Sequence, residues 1–248
     1  MENIIDIIKH AVLQVYKKLN YCDLNKAGSL LNKKNKTDDE VIEIDHEANR
    51  VFEEIILKSE YFYAYISEEN EEIKYNLNQT DKSRYLIACD PIDGSKNIDI
   101  NITSGTIFSI FRLNQNNEVE SGRDIICSGY SLFGVCTQLV ISTTENTNLY
   151  QLGINNKFNL IKELEKMPNK SNSYSINQGY SKLWLNPKIE KFVNLQMERG
   201  ISLRFVGSMV ADIHRALLKG GSFMYPGNKN NKKGKLRLLY EVMPMAFI

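Results

Sequence analysis

The stretch ACDPIDGSKNID, Ala88 to Asp99, directly follows the apolar run Tyr85, Leu86, Ile87 and gathers Asp90, Asp93 and Asp99 around a proline, a glycine, a serine and an asparagine. A buried strand therefore ends in a cluster of negative charge. Upstream, YFYAYI (Tyr61 to Ile66) is an aromatic strand pattern that ends just as abruptly in SEEN, with Glu68 and Glu69. In open α/β sheets, functional groups collect at the C-terminal ends of strands, where the loops leave a crevice. Carboxylates packed together repel, and burying an unpaired charge costs several kcal/mol, so a stable cluster needs a counter-charge. Two or three divalent cations would supply it. All-oxygen donors with no Cys or His at ligand spacing favour Mg²⁺, with Mn²⁺ possible, over zinc. Pro91 fixes the turn, Gly94 lets the backbone approach closely, and the amides of Gly94 and Ser95 can donate to a phosphate oxygen. Metal ligands beside an amide nest point to phosphate chemistry.

Composition limits the alternatives. Across 248 residues, 31 Lys plus Arg against 30 Asp plus Glu leave a net charge of +1. No global field attracts nucleic acid or an anionic membrane, so any anion must be caught locally. Cys22, Cys89, Cys127 and Cys136 lack C-x-x-C spacing and read as buried thiols of a reducing compartment. No apolar run approaches the roughly 20 residues of a membrane span, and charges at Glu2, Asp6, Lys9, Lys17 and Lys18 interrupt any signal-peptide core. The expectation is a soluble cytoplasmic α/β protein with one large domain or two fused halves.

Along the chain, Ile4, Ile5, Ile8, Val12, Val15 and Leu19 recur at helical spacing. Asn32 to Asp39 reads as a charged loop, and a second helix spans about Ile42 to Leu57 with Asp45 near its start. GTIFSIFRL is a strand, GYSLFGVCTQLVIST a helix or strand, and Gly153 to Asn156 the turn of a hairpin. The polar turn after Pro168 suggests a division near residue 166, giving an N-terminal half, 1–165, that carries the metal cluster and a C-terminal half, 166–248. There a helix opens at Asn186-Pro187, and LRFVGSMVADIHRALLKGG forms another, closed by Gly220 and Gly221. SFMYP and KLRLLYE read as two strands around the polar loop GNKNNKKG, the second delivering Glu241 to the acidic edge.

DPIDGSKNID followed by GTIF closely resembles the signature of the fructose-1,6-bisphosphatase family, within the Mg²⁺-dependent, lithium-sensitive sugar and inositol phosphatases. SEEN, EIDHEAN, INQGY, RFVGSMVADIHRAL, GGSFMYP and GKLRLLYEVMPMAF are similar to family segments in the same order, so the resemblance spans the chain from about Ile4. It implies a layered αβαβα fold of two packed mixed sheets with helices, its last segment missing. It implies metal-binding roles for Glu68, Glu69, Asp90, Asp93 and Glu241, with the Ile92 carbonyl as a further ligand. Asp45 corresponds to an aspartate that pairs with Glu69 to position or deprotonate the attacking water. Gly94 and Ser95 would hold the phosphate being cleaved, and Asn177, Tyr180, Tyr225 and Lys235 the sugar's other phosphate. Arg204 matches a residue that reaches the neighbouring subunit's site, which implies a homodimer or homotetramer. The implied activity is Mg²⁺-dependent hydrolysis of the 1-phosphate of fructose 1,6-bisphosphate, in gluconeogenesis. The alternatives are a sedoheptulose-1,7-bisphosphatase, disfavoured by Asn97 and Ile98, and a non-catalytic short paralogue that binds phosphosugar or a full-length partner.

Several residues have plainer readings. Without the motif, Lys235 would be an edge-strand lysine, and Arg237 is a weaker anion-binding candidate on the same face. His46 and His214 lie inside helical patterns and read as structural. Lys229 to Lys233 has no interleaved aromatics and reads as a solvated loop. Three positions depart from the family: Phe205 stands where Tyr is common, Lys96 replaces a second Ser, and Gln178 replaces Glu. The chain also opens near the family's second helix, which implies loss of the segment that cradles AMP and no strong AMP inhibition. It stops seven residues after Glu241, where the family continues, which leaves either a truncated gene product or a natural short form.

Overall fold

A computed structural model describes residues 1–22, 30–34 and 40–248, with the backbone alone for 30–34 and 40–42. Helix α1 (Glu2–Asn20) buries Ile4, Ile8, Val12 and Val15 of the expected stripe, with Ala11 and Leu13 beside them, and Ile5 and Leu19 half-buried. Lys17 and Lys18 in its last turn suit the negative end of the helix dipole. A short antiparallel pair, β1 (Leu30–Lys34) and β2 (Glu40–Ile42), leads into α2 (Glu43–Leu57). Asn32 to Lys34 are thus strand rather than loop, and the rest of the expected loop lies outside the described residues. α2 buries Ile44, Ala48, Phe52 and Ile56 in the core shared with α1.

Both helices cover one face of an eight-stranded sheet. Its strands are β3 (Phe62–Ser67), β4 (Lys74–Tyr75), β5 (Tyr85–Asp93), β6 (Gly105–Arg112), β7 (Ile125–Phe133), β8 (Thr137–Thr143), β9 (Thr147–Leu152) and β10 (Phe158–Glu163). They run in the order β10-β9-β8-β7-β6-β5-β3-β4. The central strands are buried on both faces, so they read as continuous apolar runs rather than alternating ones. That explains why GYSLFGVCTQLVIST was ambiguous from its pattern; it is the β7–β8 hairpin. Phe52, Phe62 and Phe108 are fully buried in the core on the α1/α2 side. Each such side chain contributes roughly 1.5–3 kcal/mol by leaving water.

A second sheet of three short parallel strands, β12 (Ser202–Leu203), β11 (Ser173–Ser175) and β13 (Ser222–Phe223), lies beyond helix α4 (Met209–Lys219). Val210 of α4 packs with Ile107, Tyr130 and Val140 of the large sheet, and α4 touches β11 and β13 on its other side. Helix α3 (Pro187–Glu198) closes the far face, Val193 against Tyr174 and Ile176. The layers are therefore αβαβα, as expected, with α4 as the middle one. The large sheet is mixed; the small one is parallel throughout its described strands.

Three further expectations change. The helix expected from Leu203 begins only at Met209, because the Asp212 carboxylate accepts hydrogen bonds from the Val206 and Gly207 amides and holds that segment out of the helix. KLRLLYE is not a strand. Leu238–Val242 is a π-helical turn running into α5 (Met243–Phe247), closed by the Glu241 and Val242 amides on the Arg237 carbonyl at 3.1 and 3.0 Å. Of the four cysteines only Cys89 and Cys127 are buried; Cys22 is half-buried and Cys136 is exposed. His214 is structural as expected, its Nδ1 2.9 Å from the Tyr130 hydroxyl between α4 and the large sheet.

Where β6 begins, a Cβ on Gly105 would lie 2.0 Å from the Ser131 carbonyl oxygen and 2.9 Å from Val210 Cγ2. Gly105→Ala should destabilise the fold by at least about 1–3 kcal/mol, as overpacking does. The check is a lower urea midpoint at unchanged m-value; an unchanged midpoint would show that the β6–β7 approach is looser than described.

Candidate active site

β3 and β5 are parallel and in register, Ser67 opposite Cys89, so their C-terminal ends lie side by side. The Glu68 amide donates to the Cys89 carbonyl at 3.2 Å and extends the ladder to the edge. Glu68 and Glu69 thus emerge next to Asp90 because the buried strands fix their register. On the other side of β5, pairing with β6 slips between Asp90, opposite Ile107, and Asp93, opposite Gly105. Pro91 falls inside this bulge, where the ladder needs no amide, and its carbonyl accepts from Thr106 Oγ1 at 2.8 Å. The bulge re-aims two acids that strict alternation would send to opposite faces. Gly94 then takes φ +75° and caps a single 3₁₀ turn, Ser95–Asn97. Only glycine adopts this conformation without strain.

Asp90, Asp93 and Glu241 each offer a carboxylate oxygen, and these oxygens lie within 4.8 Å of one another. All three residues are buried. Asp90 and Asp93 come from β5, Glu241 from the π-helical turn of the second half. Arg237 answers part of the charge, its Nη2 3.1 Å from Glu68 Oε1 and its Nη1 3.8 Å from Glu241 Oε2. Its amide also donates to the Glu241 carboxylate. Burial, more than the Arg237 charge can offset, pushes the Glu68 carboxyl up to about 8. Asp93 is raised to about 6 by burial against the hydrogen bonds that favour its charged form, and Asp90 is raised well above the usual range by burial and by Glu68 and Asp93. Buried acids brought this close, with oxygen donors only, fit hard divalent cations.

The acids open into a cavity of about 980 Å³. Asp45, from the first turn of α2, lines it together with Glu68, Glu69, Asp90, Ile92, Asp93, Gly94, Ser95, Asn177, Tyr225, Lys235 and Glu241. Two expected residues do not. Tyr180 lies close enough to Tyr225 to raise that phenol's pKa, although burial is the larger cause, and it does not line the cavity. Arg204 is exposed, and its Nη1 donates to the Leu203 carbonyl at 3.2 Å. The cavity also takes in Lys96, Phe205, Asp212, Lys233 and Arg237. Lys233 was hidden in a run of lysines that reads as solvated. Arg237, read as the weaker anion-binding candidate, is turned onto Glu68 and Glu241 by the π-helical turn, which the strand-like pattern of KLRLLYE conceals.

Comparison with known proteins shows what this chain is similar to. Residues 1–163 match the family description "Fructose-1-6-bisphosphatase, N-terminal domain" and residues 167–248 match "Fructose-1-6-bisphosphatase, C-terminal domain". A fructose-1,6-bisphosphatase class 1 of Sulfurihydrogenibium sp. is 40% identical over 224 residues, covering 88% of this chain and 69% of its own. The cytosolic fructose-1,6-bisphosphatase of Arabidopsis thaliana is 35% identical over 256 residues, covering 98% and 75%. Among solved structures, the holo form of Leishmania major fructose-1,6-bisphosphatase superposes with a TM-score of 0.90 at 32% identity, covering 98% of this chain and 78% of that one.

The raised carboxyls set a testable pH dependence. Between the unfolded carboxylate range and about 8, the folded metal-free chain keeps a proton at Glu68 that the unfolded chain has lost, so folding stability falls as pH rises through that window. In chelator, the melting temperature should drop between about pH 6.5 and pH 8.5, and Mg²⁺ should restore more of it at the upper end. A metal-free melting temperature that rises over this window would contradict the burial of these acids.

Proposed function

The chain belongs to the fructose-1,6-bisphosphatase family, and from that footing we propose that it is a phosphoric monoester hydrolase removing the 1-phosphate of fructose 1,6-bisphosphate to give fructose 6-phosphate and phosphate in gluconeogenesis. The observation that carries the reading is the buried Asp90, Asp93 and Glu241 group beside the Gly94–Ser95 turn. Phosphate-ester hydrolysis is among the slowest uncatalysed reactions, so a catalyst must supply on the order of 20 kcal/mol. Two or three Mg²⁺ ions, or Mn²⁺, held by Glu68, Glu69, Asp90, Asp93, Glu241 and the Ile92 carbonyl would lower the pKa of water and neutralise phosphoryl and leaving oxygens.

The chain's own groups do the rest. Asp45 and Glu69 hold the attacking water and take its proton as the oxygen closes on phosphorus. The Gly94 amide and the Ser95 hydroxyl and amide donate to the phosphoryl oxygens, keeping the ester in line while the bond to the sugar oxygen breaks and that oxygen takes a proton from solvent water. Lys235, Tyr225 and Asn177 hold the distal phosphate, with Tyr180 supporting Tyr225. Arg204, exposed and outside its own cavity, would serve a neighbouring subunit in a homodimer or homotetramer. The division near residue 166 would separate the half bearing β3 and β5 from the half bearing the sugar-phosphate groups. A cytoplasmic location is supported by cytosolic relatives. Among the described residues, no helix is long and apolar enough to cross a membrane.

Purified chain should release phosphate from fructose 1,6-bisphosphate only with Mg²⁺ or Mn²⁺, and with higher kcat/KM than from sedoheptulose 1,7-bisphosphate. Asp90→Ala should abolish release, and Asp45→Asn or Glu69→Gln should lower kcat roughly 10²–10⁴-fold, the usual worth of a general base, with little change in KM. A folded chain that releases no phosphate in Mg²⁺ would sink the proposal.

A further inference from the structure

Ser208 stands at the N-cap of α4, where a serine ordinarily turns its hydroxyl onto an amide of its own helix. Here it makes no such bond. Its hydroxyl donates to Asp93 Oδ2 at 3.2 Å, across the layers from α4 to the end of β5. The same oxygen accepts the Val210 amide of the first turn of α4 at 3.0 Å. The carboxylate of β5 thus caps α4, and the serine that would have done so is turned onto that carboxylate. Ser208 is 1% exposed, so no solvent competes for the bond. It also sits against the Gly94 turn, where a Cβ on Gly94 would meet Ser208 Cβ and Oγ at 3.1 Å.

The segment bearing Ser208 is itself held in place. Asp212, one turn into α4, accepts the Val206 amide at 3.0 Å and the Gly207 amide at 3.2 Å. Asn97 Nδ2 reaches the Gly207 carbonyl at 3.4 Å. Phe205, Gly207 and Met209 from this segment line the cavity. A single stretch therefore forms a wall of the cavity and grips one acid of the buried cluster.

We propose that Ser208 is a positioning residue: with the Val210 amide it fixes the rotation of the Asp93 carboxylate, so that Oδ1 is presented to a bound cation and the cavity wall moves only together with that ligand. The proposal rests on the metal-dependent reading above. Ligating carboxylates are generally oriented by such outer hydrogen bonds, and losing one typically weakens metal binding 10–100-fold. Because Asp93 Oδ2 keeps the Val210 amide when the hydroxyl is removed, the metal-free melting temperature should fall by no more than a few degrees.

The test compares Mn²⁺ affinity, read by electron paramagnetic resonance of free Mn²⁺, with the metal-free melting temperature in the full chain and in Ser208→Ala. About tenfold or greater loss of Mn²⁺ affinity, with a metal-free melting temperature within a few degrees of the parent, is expected. Should S208A not fold, Ser208→Cys, whose thiol is a weak donor, is read in its place, and weaker Mn²⁺ binding is again expected. Mn²⁺ affinity equal to the parent in a folded variant overturns the positioning role. If the parent chain binds no Mn²⁺ and releases no phosphate, the metal-dependent reading fails instead, an outcome distinct from the failure of Ser208.

Discussion

Mutual repulsion among carboxylates that share a dry space is the constraint on which this structure depends. Glu68, Asp90, Asp93 and Glu241 are each buried, and Arg237 pairs with two of them, Glu68 and Glu241. Left to itself, such a group would splay into solvent or take up protons, because charge in low dielectric costs several kcal/mol per ion. The backbone forbids the first escape. Asp90 and Asp93 sit in the most buried strand of the large sheet, Glu68 is tied to that strand by the Cys89 carbonyl, and Glu241 is wound into a turn on Arg237. Hydrophobic burial along β3, β5 and β6 thus holds together charges that would otherwise separate, and cations are the natural means of relieving them.

The legibility of the chain follows from which interactions are local. Strands ending in acid, the glycine turn after Asp93 and the α1 stripe were readable because each depends on residues close in sequence. The αβαβα order and the metal and phosphate roles came from the resemblance, on motifs spread over the chain. What failed was what distant contacts decide. KLRLLYE has strand-like composition, yet Arg237 finds Glu68 from the other half of the chain and the segment coils into a π-helical turn. The helix expected from Leu203 stops short at Met209 because Asp212 holds the Val206 and Gly207 amides. Lys233 was lost among neighbouring lysines, since which member of a basic loop faces a cavity depends on how the loop is pinned. Asn228 does this with its side chain, accepting the amides of Asn230 and Asn231.

The bulge at Pro91 shows how a local irregularity can serve both fold and chemistry. A regular strand would place Asp90 and Asp93 on opposite faces, since their separation is odd. One extra residue against β6 turns both toward Glu241, and proline is tolerated there because the ladder asks for no amide at that point. The interruption also ends the strand where the Gly94 turn must begin. The proposed metal ligands and phosphate-binding amides are thus set in sequence by the same few residues.

The cluster is not the property of one half of the chain. β3 and β5 supply Glu68, Asp90 and Asp93, whereas Arg237, Glu241 and the α4 cap on Asp93 arrive from beyond residue 200. The site therefore exists only when the second sheet and α4 are seated on the large sheet, and forming the site is part of seating them. In the metal-free chain the approach of Glu241 to Asp90 and Asp93 opposes that seating, while the Arg237–Glu68 pair and the packing of Val210 against Ile107, Tyr130 and Val140 favour it. A ligand bound by the assembled state alone shifts the balance by mass action. Under the proposed metal-dependent reading, cation binding at this seam would therefore also hold the 166–248 segment against the large sheet. Asp93, gripped on Oδ2 by α4 and facing the cluster, is the residue where cation binding and that seating meet.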